Sequence, residues 1–475
     1  MTTMNIMKRR PCMNLTIAVL LVLFPVVGVA GQDEPPTDDS SASTDNSEAG
    51  EEIRSQLQQW RETLLYGINS EIVDLLPTLT DNRESDLAPE VIELFQSSNN
   101  SDVLVAAATY LREMELPDGH DRGKTIVRDE FTRGDELVTQ VMLYLRETGA
   151  SMDPETQEAL LRIAEDRSTV VAIGAVRLMG AAGTPSSVLI DLYRSDELTD
   201  DVRGRILIEL GERGDPEVYD FVTEIIREDE EARTNLQRFA VDTLGKLGDP
   251  RGLPTILAQF DSDDALTRAY AVSALTNFDT PESNEALISA LRDEFWRVRV
   301  AALEAIKERN LTDAAPAVLY KARQDPERQV RLAAISTMAR LDTADGWELL
   351  EERVLSDRTA LEERSAILDV MMNERLGRSV DLILQVMEQE WDKENSRVLD
   401  VIGRIASRVE DQRIEPVAAR LLDHPNYILQ IYGARAVGRS RLPGLIPIVE
   451  ARQSEGSHPA LRSAAVRALE QLGPR

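Results

Sequence analysis

Apolar positions along the chain recur with a helical period, and that pattern itself repeats. Residues 298–322, "VRVAALEAIKERNLTDAAPAVLYKA", hold one copy: an amphipathic helix, a short Asp-bearing turn and a second apolar helix. The opening segment "VRVAALEAI" has close counterparts in "VRLAAISTM" (330–338), "VRGRILIEL" (202–210), "LQRFAVDTL" (236–244), "TRAYAVSAL" (267–275), "LQIYGARAV" (429–437) and "LRSAAVRAL" (461–469). Weaker copies are "VLVAAATYL" (103–111), "LVTQVMLYL" (137–145), "VAIGAVRLM" (171–179), "ERSAILDVM" (363–371) and "RVLDVIGRI" (397–405).

The residues that close these segments are Leu111, Leu145, Met179, Leu210, Leu244, Leu275, Ile306, Met338, Met371, Ile405, Val437 and Leu469. Successive gaps are 31 to 34 residues, the scale of stacked helical pairs. A degenerate unit ending near Leu79 extends the series toward the N-terminus.

The second helix keeps the same step. Nine, twelve and sixteen residues past a closing residue stand Tyr219, Val222 and Ile226, or Leu253, Ile256 and Phe260. Ala315, Val318 and Ala322 repeat this, as do Trp347, Leu350 and Val354, and Val380, Ile383 and Met387. Such spacing puts one apolar face on each helix. The turns "LGDPRG", "RGDPEV", "FDTPES" and "AGTPSS" offer Asp or Thr as a cap and Pro as a helix start. No sustained alternation bounded by hairpin turns predicts a strand. The expected fold is all-α: a superhelical α-solenoid of about twelve helical pairs over residues 101–475, behind a helical cap at 53–100.

The N-terminus follows a different pattern. Lys8, Arg9 and Arg10 precede the apolar run "MNLTIAVLLVLFPVVGVA" (13–30), which ends in Gly28-Val29-Ala30. This is the layout of a signal peptide (1–30) cleaved after Ala30. Retained as an anchor, the run would just span a bilayer, but Pro25 and Gly28 favour cleavage. Either way the remaining chain is expected outside the cytoplasm, periplasmic or extracellular. After cleavage no stable membrane insertion is expected.

Residues 31–52, "GQDEPPTDDSSASTDNSEAGEE", hold no base and almost nothing apolar, and read as an acidic disordered spacer. Ordered helix is expected near Ile53, with Ile53, Leu57, Trp60 and Leu64 on one face.

Composition narrows the function classes. Fifty-three basic against 84 acidic residues leave a formal charge of −31. Nucleic acid is disfavoured, since phosphate binding needs a basic footprint; an anionic membrane surface is disfavoured likewise. A basic protein or a divalent cation is the natural electrostatic partner, unless the charge serves solubility alone. The single Cys, Cys12, precedes the apolar run, so the processed chain has no thiol for disulfides, catalysis or metal ligation.

The "VRxxA" starts at Val298-Arg299, Val330-Arg331 and Val202-Arg203, with the turns Asp249-Pro250 and Asp215-Pro216, resemble HEAT repeats. The closest form is the short one associated with phycobilisome lyase proteins. The resemblance runs from about Asp102 to Gly473 and implies an armadillo-type fold; it is nearly silent about activity. Some HEAT-like proteins, the deoxyhypusine hydroxylases, are di-iron enzymes that use His-Glu pairs. Here the pairs read His120-Asp121, His424-Pro425 and His458-Pro459, so the resemblance stops at the fold.

Candidate chemistry is sparse. No HExxH, nucleophile elbow or phosphate loop occurs. Asp261, Asp263 and Asp264 lack the Gly and Glu of a calcium loop and are expected to cap a helix. Gly180 and Gly183 in "MGAAGT" are expected to end a helix. Asp129-Glu130, the acidic run at 228–231 and Glu351-Glu352 read as solvated faces. Trp347 sits at a packing position; Trp296 and Trp391 fall in inter-repeat turns, where an aromatic anchor would be exposed.

Arg203, Arg268, Arg299, Arg331 and Arg462 recur at helix starts. Glu197, Asp293 and Asp325 stand six residues before three of them, and these pairs are expected to tie each turn to the following helix. Second helices are expected to line the open groove of the solenoid, with Tyr320, Lys321, Glu352 and Arg353 as its contact residues. The expectation is a non-enzymatic, exported bacterial scaffold or adaptor without cofactor or metal, binding other proteins of the cell envelope. An enzyme or lyase-like protein with a site in the groove is the alternative.

Overall fold

The computed structural model describes residues 45–129, 132–227, 234–454 and 457–473, with side chains from residue 55 onward. The signal peptide, the first part of the spacer, Cys12 and the acidic run at 228–231 lie outside the described residues. The chain divides into two units, Met1–Trp60 and Arg61–Arg475. Of the first, the described part belongs to one helix, α1 (Asp45–Tyr66). That helix starts eight residues before Ile53, so Asp45–Glu52, read as spacer, is helical.

The second unit alternates first helices with second helices. In chain order these are α2 (Asn69–Asp81) and α3 (Ala88–Ser97), α4 (Ser101–Glu113) and α5 (His120–Arg128), α6 (Asp135–Glu147) and α7 (Pro154–Asp166), α8 (Thr169–Ala181) and α9 (Ser186–Tyr193). There follow α10 (Asp200–Arg213) and α11 (Val218–Arg227), α12 (Thr234–Leu247) and α13 (Leu253–Ala258), α14 (Ala265–Ala274) and α15 (Pro281–Ala290), α16 (Trp296–Arg309) and α17 (Ala315–Gln324). The last are α18 (Arg328–Leu341) and α19 (Ala344–Leu355), α20 (Leu361–Asn373) and α21 (Leu376–Glu390), α22 (Arg397–Ala406) and α23 (Glu415–Asp423), α24 (Tyr427–Ser440) and α25 (Ile446–Ala451), then α26 (Pro459–Leu472) alone.

These make twelve pairs and a closing helix, with no strand among the described residues. Each first helix packs on the next first helix, and each second helix on the first helix that follows it. The result is an all-α solenoid. The pair α2–α3 stacks on α4 in the same way, so the cap region carries a regular unit.

Ten of the twelve closing residues are fully buried, from Leu111 to Met371 and at Val437. Ile405 and Leu469 are half-buried instead. In α22 the core takes Ile402 and Ala406; in α26 it takes Ala465 and Ala468. The helices are turned by about one residue there: α22 is short, and α26 has a first-helix neighbour on one side only. In the second helices the middle residue is always buried: Val222, Ile256, Val318, Leu350 and Ile383. Phe260 lies in a short 3₁₀ turn beyond α13 rather than in the helix.

Turn chemistry follows the residues. Asp249 accepts from the Arg251 amide and Thr280 from the Ser283 amide, each with Pro at the helix start. Asp264 accepts from the Thr267 amide at 2.6 Å and caps α14, as its sequence context predicts. Asp215 departs from this: its carboxylate bonds back to Ser186 of the preceding pair. Gly183 follows α8 at φ +77° and Gly214 ends α10 at φ +72°, the left-handed conformation that a Cβ penalises.

Candidate interaction surface

The turns are tied together by arginines, though not as the six-residue spacing predicts. Arg299 Nη1 donates to the backbone carbonyls of Asp293 (2.8 Å) and Glu294 (3.0 Å), so Asp293 serves through its main chain. Arg299 Nη2 donates forward to Asp325 Oδ1 at 2.8 Å, in the next turn. Arg268 likewise joins the Ser262 carbonyl behind it to the Asp293 carboxylate ahead, at 2.8 and 3.0 Å. Arg238 reaches Asp264 at 2.9 Å, and Arg364 links the Val354 carbonyl to Glu390, both at 3.0 Å. Gln430 keeps the backward limb alone, donating to the His424 carbonyl at 2.7 Å. Arg203 bonds the carbonyls of Tyr193 and Ser195 rather than Glu197.

Each bridging guanidinium therefore spans two turns. Burial alone would raise the Asp325 carboxyl; the Arg299 guanidinium, the Glu327 amide and Lys321 overcome that and hold it below the ordinary range. Asp293 and Asp264 are held low by Arg268 and by Thr267 with Arg238, again against burial. Arg299 and Asp325 are 5% and 2% exposed, so the pair stands in low dielectric and neither charge can lose its partner cheaply. These contacts tie neighbouring turns together.

The two helix rows of the stack differ in what they leave open. First helices come backbone to backbone. A Cβ on Gly245 of α12 would meet Ala274 Cβ of α14 at 2.5 Å, and one on Gly438 of α24 would meet Ala468 Cα of α26 at 2.9 Å. Thr243 Oγ1 donates to the Leu207 carbonyl at 2.7 Å and Thr337 Oγ1 to that of Leu303 at 3.1 Å, stitching neighbouring first helices. On the second-helix side, an opening of about 560 Å³ lies beside α11, lined by Tyr219, Asp220, Thr223, Glu224 and Arg227. Another, of about 540 Å³, runs between α21 and α23 to Leu445, ahead of α25.

Of the expected contact residues, Tyr320 is 56% exposed and Glu352 is exposed. Lys321 instead turns to Asp325 Oδ2 at 3.2 Å, and Arg353 pairs with Glu363 at 3.4 Å. Sequence reasoning passed over the register ten residues beyond Leu210, Leu275, Met338 and Met371. It carries Asp220, Glu285, Glu348 and Asp381, all exposed, with Glu224 and Glu352 one turn further on α11 and α19. None of these six carboxylates makes an ion pair among the described residues. Counting one helical turn back from Glu352 would have found Glu348.

Trp347, Trp391 and His424 are taken up by packing. Trp347 is 6% exposed, with Arg378 over its ring and its Nε1 donating to Asp342. Trp391 is half-buried under Arg420, 3.5 Å above the ring centroid, with His424 at its edge. Trp296, also half-buried, opens α16. His120 Nε2 is 2.7 Å from Thr148 Oγ1, its pKa lowered by burial and then by Lys124. His458 stacks on Tyr427 and accepts from the Ala460 amide. Among the described residues no three His, Cys, Asp or Glu side chains gather as a metal site, and no helix is long and apolar enough to cross a membrane.

The sequence model of a family described as "Spirochaete HEAT repeat protein" matches residues 64–468. No curated protein matches the chain. Among solved structures, Kap95p in its complex with RanGDP is 13% identical over 86% of this chain and 73% of its own, with a TM-score of 0.44. Kap121p is 14% identical over 92% of this chain at a TM-score of 0.36; the chain spans 55% of its length. The CpcE–CpcF phycocyanin lyase of Nostoc sp. PCC7120 is 19% identical over 61% of this chain and 93% of its own, with a TM-score of 0.31.

Proposed function

The chain belongs to the spirochaete HEAT repeat family, and on that footing we propose that it is a non-enzymatic, exported scaffold that docks other envelope proteins on its second-helix row. One observation carries the reading: Asp220, Glu285, Glu348 and Asp381 stand exposed and without an ion pair at one register of four second helices, while first-helix backbones close on each other at Gly245 and Gly438. A protein segment rich in Lys and Arg is the complementary partner, in keeping with a net charge of −31. Export is supported by the basic start and apolar run ending at Ala30.

Cross-linking in intact cells, from a photoreactive residue at Tyr320 or Glu348, tests the docking face. A recurrent basic partner, captured there and not from a probe at Arg177 on α8, is expected; equal capture at both sites overturns the reading. Mass spectrometry of the isolated protein is expected to find Gly31 as its first residue. Stoichiometric iron or zinc in the purified protein would remove the non-enzymatic part of the proposal.

A further inference from the structure

The arginine bridges repeat with a fixed step. Arg238 to Asp264, Arg299 to Asp325 and Arg364 to Glu390 are each 26 residues apart, and Arg268 to Asp293 is 25. The same step from Arg331 lands on Asp357, so the sequence supplies both halves of a further rung. The structure does not close it. Arg331 Nη1 donates backward, to the carbonyls of Asp325 (2.8 Å) and Pro326 (3.1 Å). Asp357, its side chain 72% exposed, faces forward, with Lys393 Nζ at 3.0 Å and Arg364 Nη1 at 3.7 Å.

This rung belongs to the junction of α18–α19 with α20–α21. The other edge of the junction is firmly tied: Arg375 Nε and Nη2 donate to the carbonyls of Ala339 (3.1 Å) and Arg340 (2.8 Å), and Arg378 reaches Asp342 at 2.7 Å. Across the first helices, Lys307 of α16 passes over α18. It donates to Ser336 Oγ at 2.6 Å and to Glu374 Oε1, just beyond α20, at 3.1 Å. On the second-helix edge Arg364 Nε still donates to the Val354 carbonyl and Arg353 pairs with Glu363; the one open rung, Arg331–Asp357, together with the half-exposed ionic strap makes a hinge with a latch.

We infer that the stack flexes at the α18–α20 junction, with Asp357 exchanging between Arg331 behind it and Lys393 ahead, and with Lys307–Glu374 holding the angle. Two alternative partners for one carboxylate give the bistable contact that such a motion needs. The strap is solvent-accessible, so its grip weakens as salt rises.

Pulsed electron resonance distances on the full chain, in a Cys12→Ser background, test this. Labels at Ser289→Cys and Gln385→Cys span the junction; labels at Glu224→Cys and Ser289→Cys lie on one side of it. Lys307→Ala, or about 1 M salt where the screening length is roughly 3 Å, is expected to shift and broaden the spanning distance by a few ångströms. The one-sided distance stays fixed. Lys307→Glu with Glu374→Lys restores the original distribution. Lys393→Ala adds a second spanning population, which Asp357→Asn in the same chain removes. A spanning distance indifferent to these changes, or both label pairs broadening alike, overturns the hinge. A Lys393→Ala population that survives Asp357→Asn overturns the role of Asp357.

Discussion

First and second helices are cut from the same repeat, yet they solve opposite problems. The first-helix row places Gly, Ala and Thr at its contacts, so neighbouring backbones touch there, and its outward positions include Val170 and Val466. On the second-helix side, openings lie beside α11 and between α21 and α23, and Asp220, Glu285, Glu348 and Asp381 point outward. In a stack where each unit contacts its neighbours only, stability and recognition can be assigned to different rows. Changes in one row should then be felt in folding and changes in the other in binding.

The sharpest way to break that division is at the turns, where both rows depend on the arginine bridges. Arg299→Ala leaves Asp325 buried with its main counter-charge gone, a loss of about 3–5 kcal/mol. Chemical denaturation is expected to show it, while partner capture by the folded fraction is retained. A variant as stable as the parent would remove the bridges from the account of stability.

Next in size is overpacking of the first-helix row. Gly245→Val forces atoms into Ala274 and is expected to cost about 1–3 kcal/mol. Ala258→Val, at the exposed end of α13, should change stability by less than about 0.5 kcal/mol. Equal costs at the two sites would mean that the rows are not divided in this way.

Acid should act through the same bridges. Asp264, Asp293 and Asp325 titrate below the ordinary carboxylate range when folded, so their stabilisation is present above the unfolded value near pH 4 and is lost as pH falls through the folded values. Thermal melts are expected to fall steeply below about pH 4. Asp325→Asn should lower the melt at neutral pH and flatten that fall; an unchanged slope would assign acid sensitivity elsewhere.

The fold was readable because a helical stripe repeated twelve times constrains register more tightly than any one helix could. At Ile405 and Leu469 the expected core residue is off by one, since α22 is short and α26 has a first-helix neighbour on one side only. The arginines were recognised, but their direction was not. A spacing of six residues selects the same turn, whereas the carboxylate that each bridge uses lies about 26 residues on, across a packing contact that sequence order does not display. The surface was legible only in part. Lys321 and Arg353 sit at outward positions in the periodic pattern, yet long flexible side chains turn to nearby carboxylates, and no stripe records that.

The smallest expected effect on stability is also the most informative about function. Glu285→Lys with Glu348→Lys reverses two outward carboxylates on α15 and α19 that hold no ion pair in the stack. Surface substitutions of this kind change stability by no more than about 0.5 kcal/mol each. If the second-helix row recruits a basic segment, association with the cross-linked partner should slow and its salt dependence should shrink, because rim charges act chiefly on the encounter rate. Glu212→Lys with Glu304→Lys, two exposed carboxylates on α10 and α16, is the matched reversal among the first helices, and partner association is expected to be unaffected by it. Loss of association in both variants would trace the effect to net charge alone, and loss in neither would leave the acidic register without a role in docking.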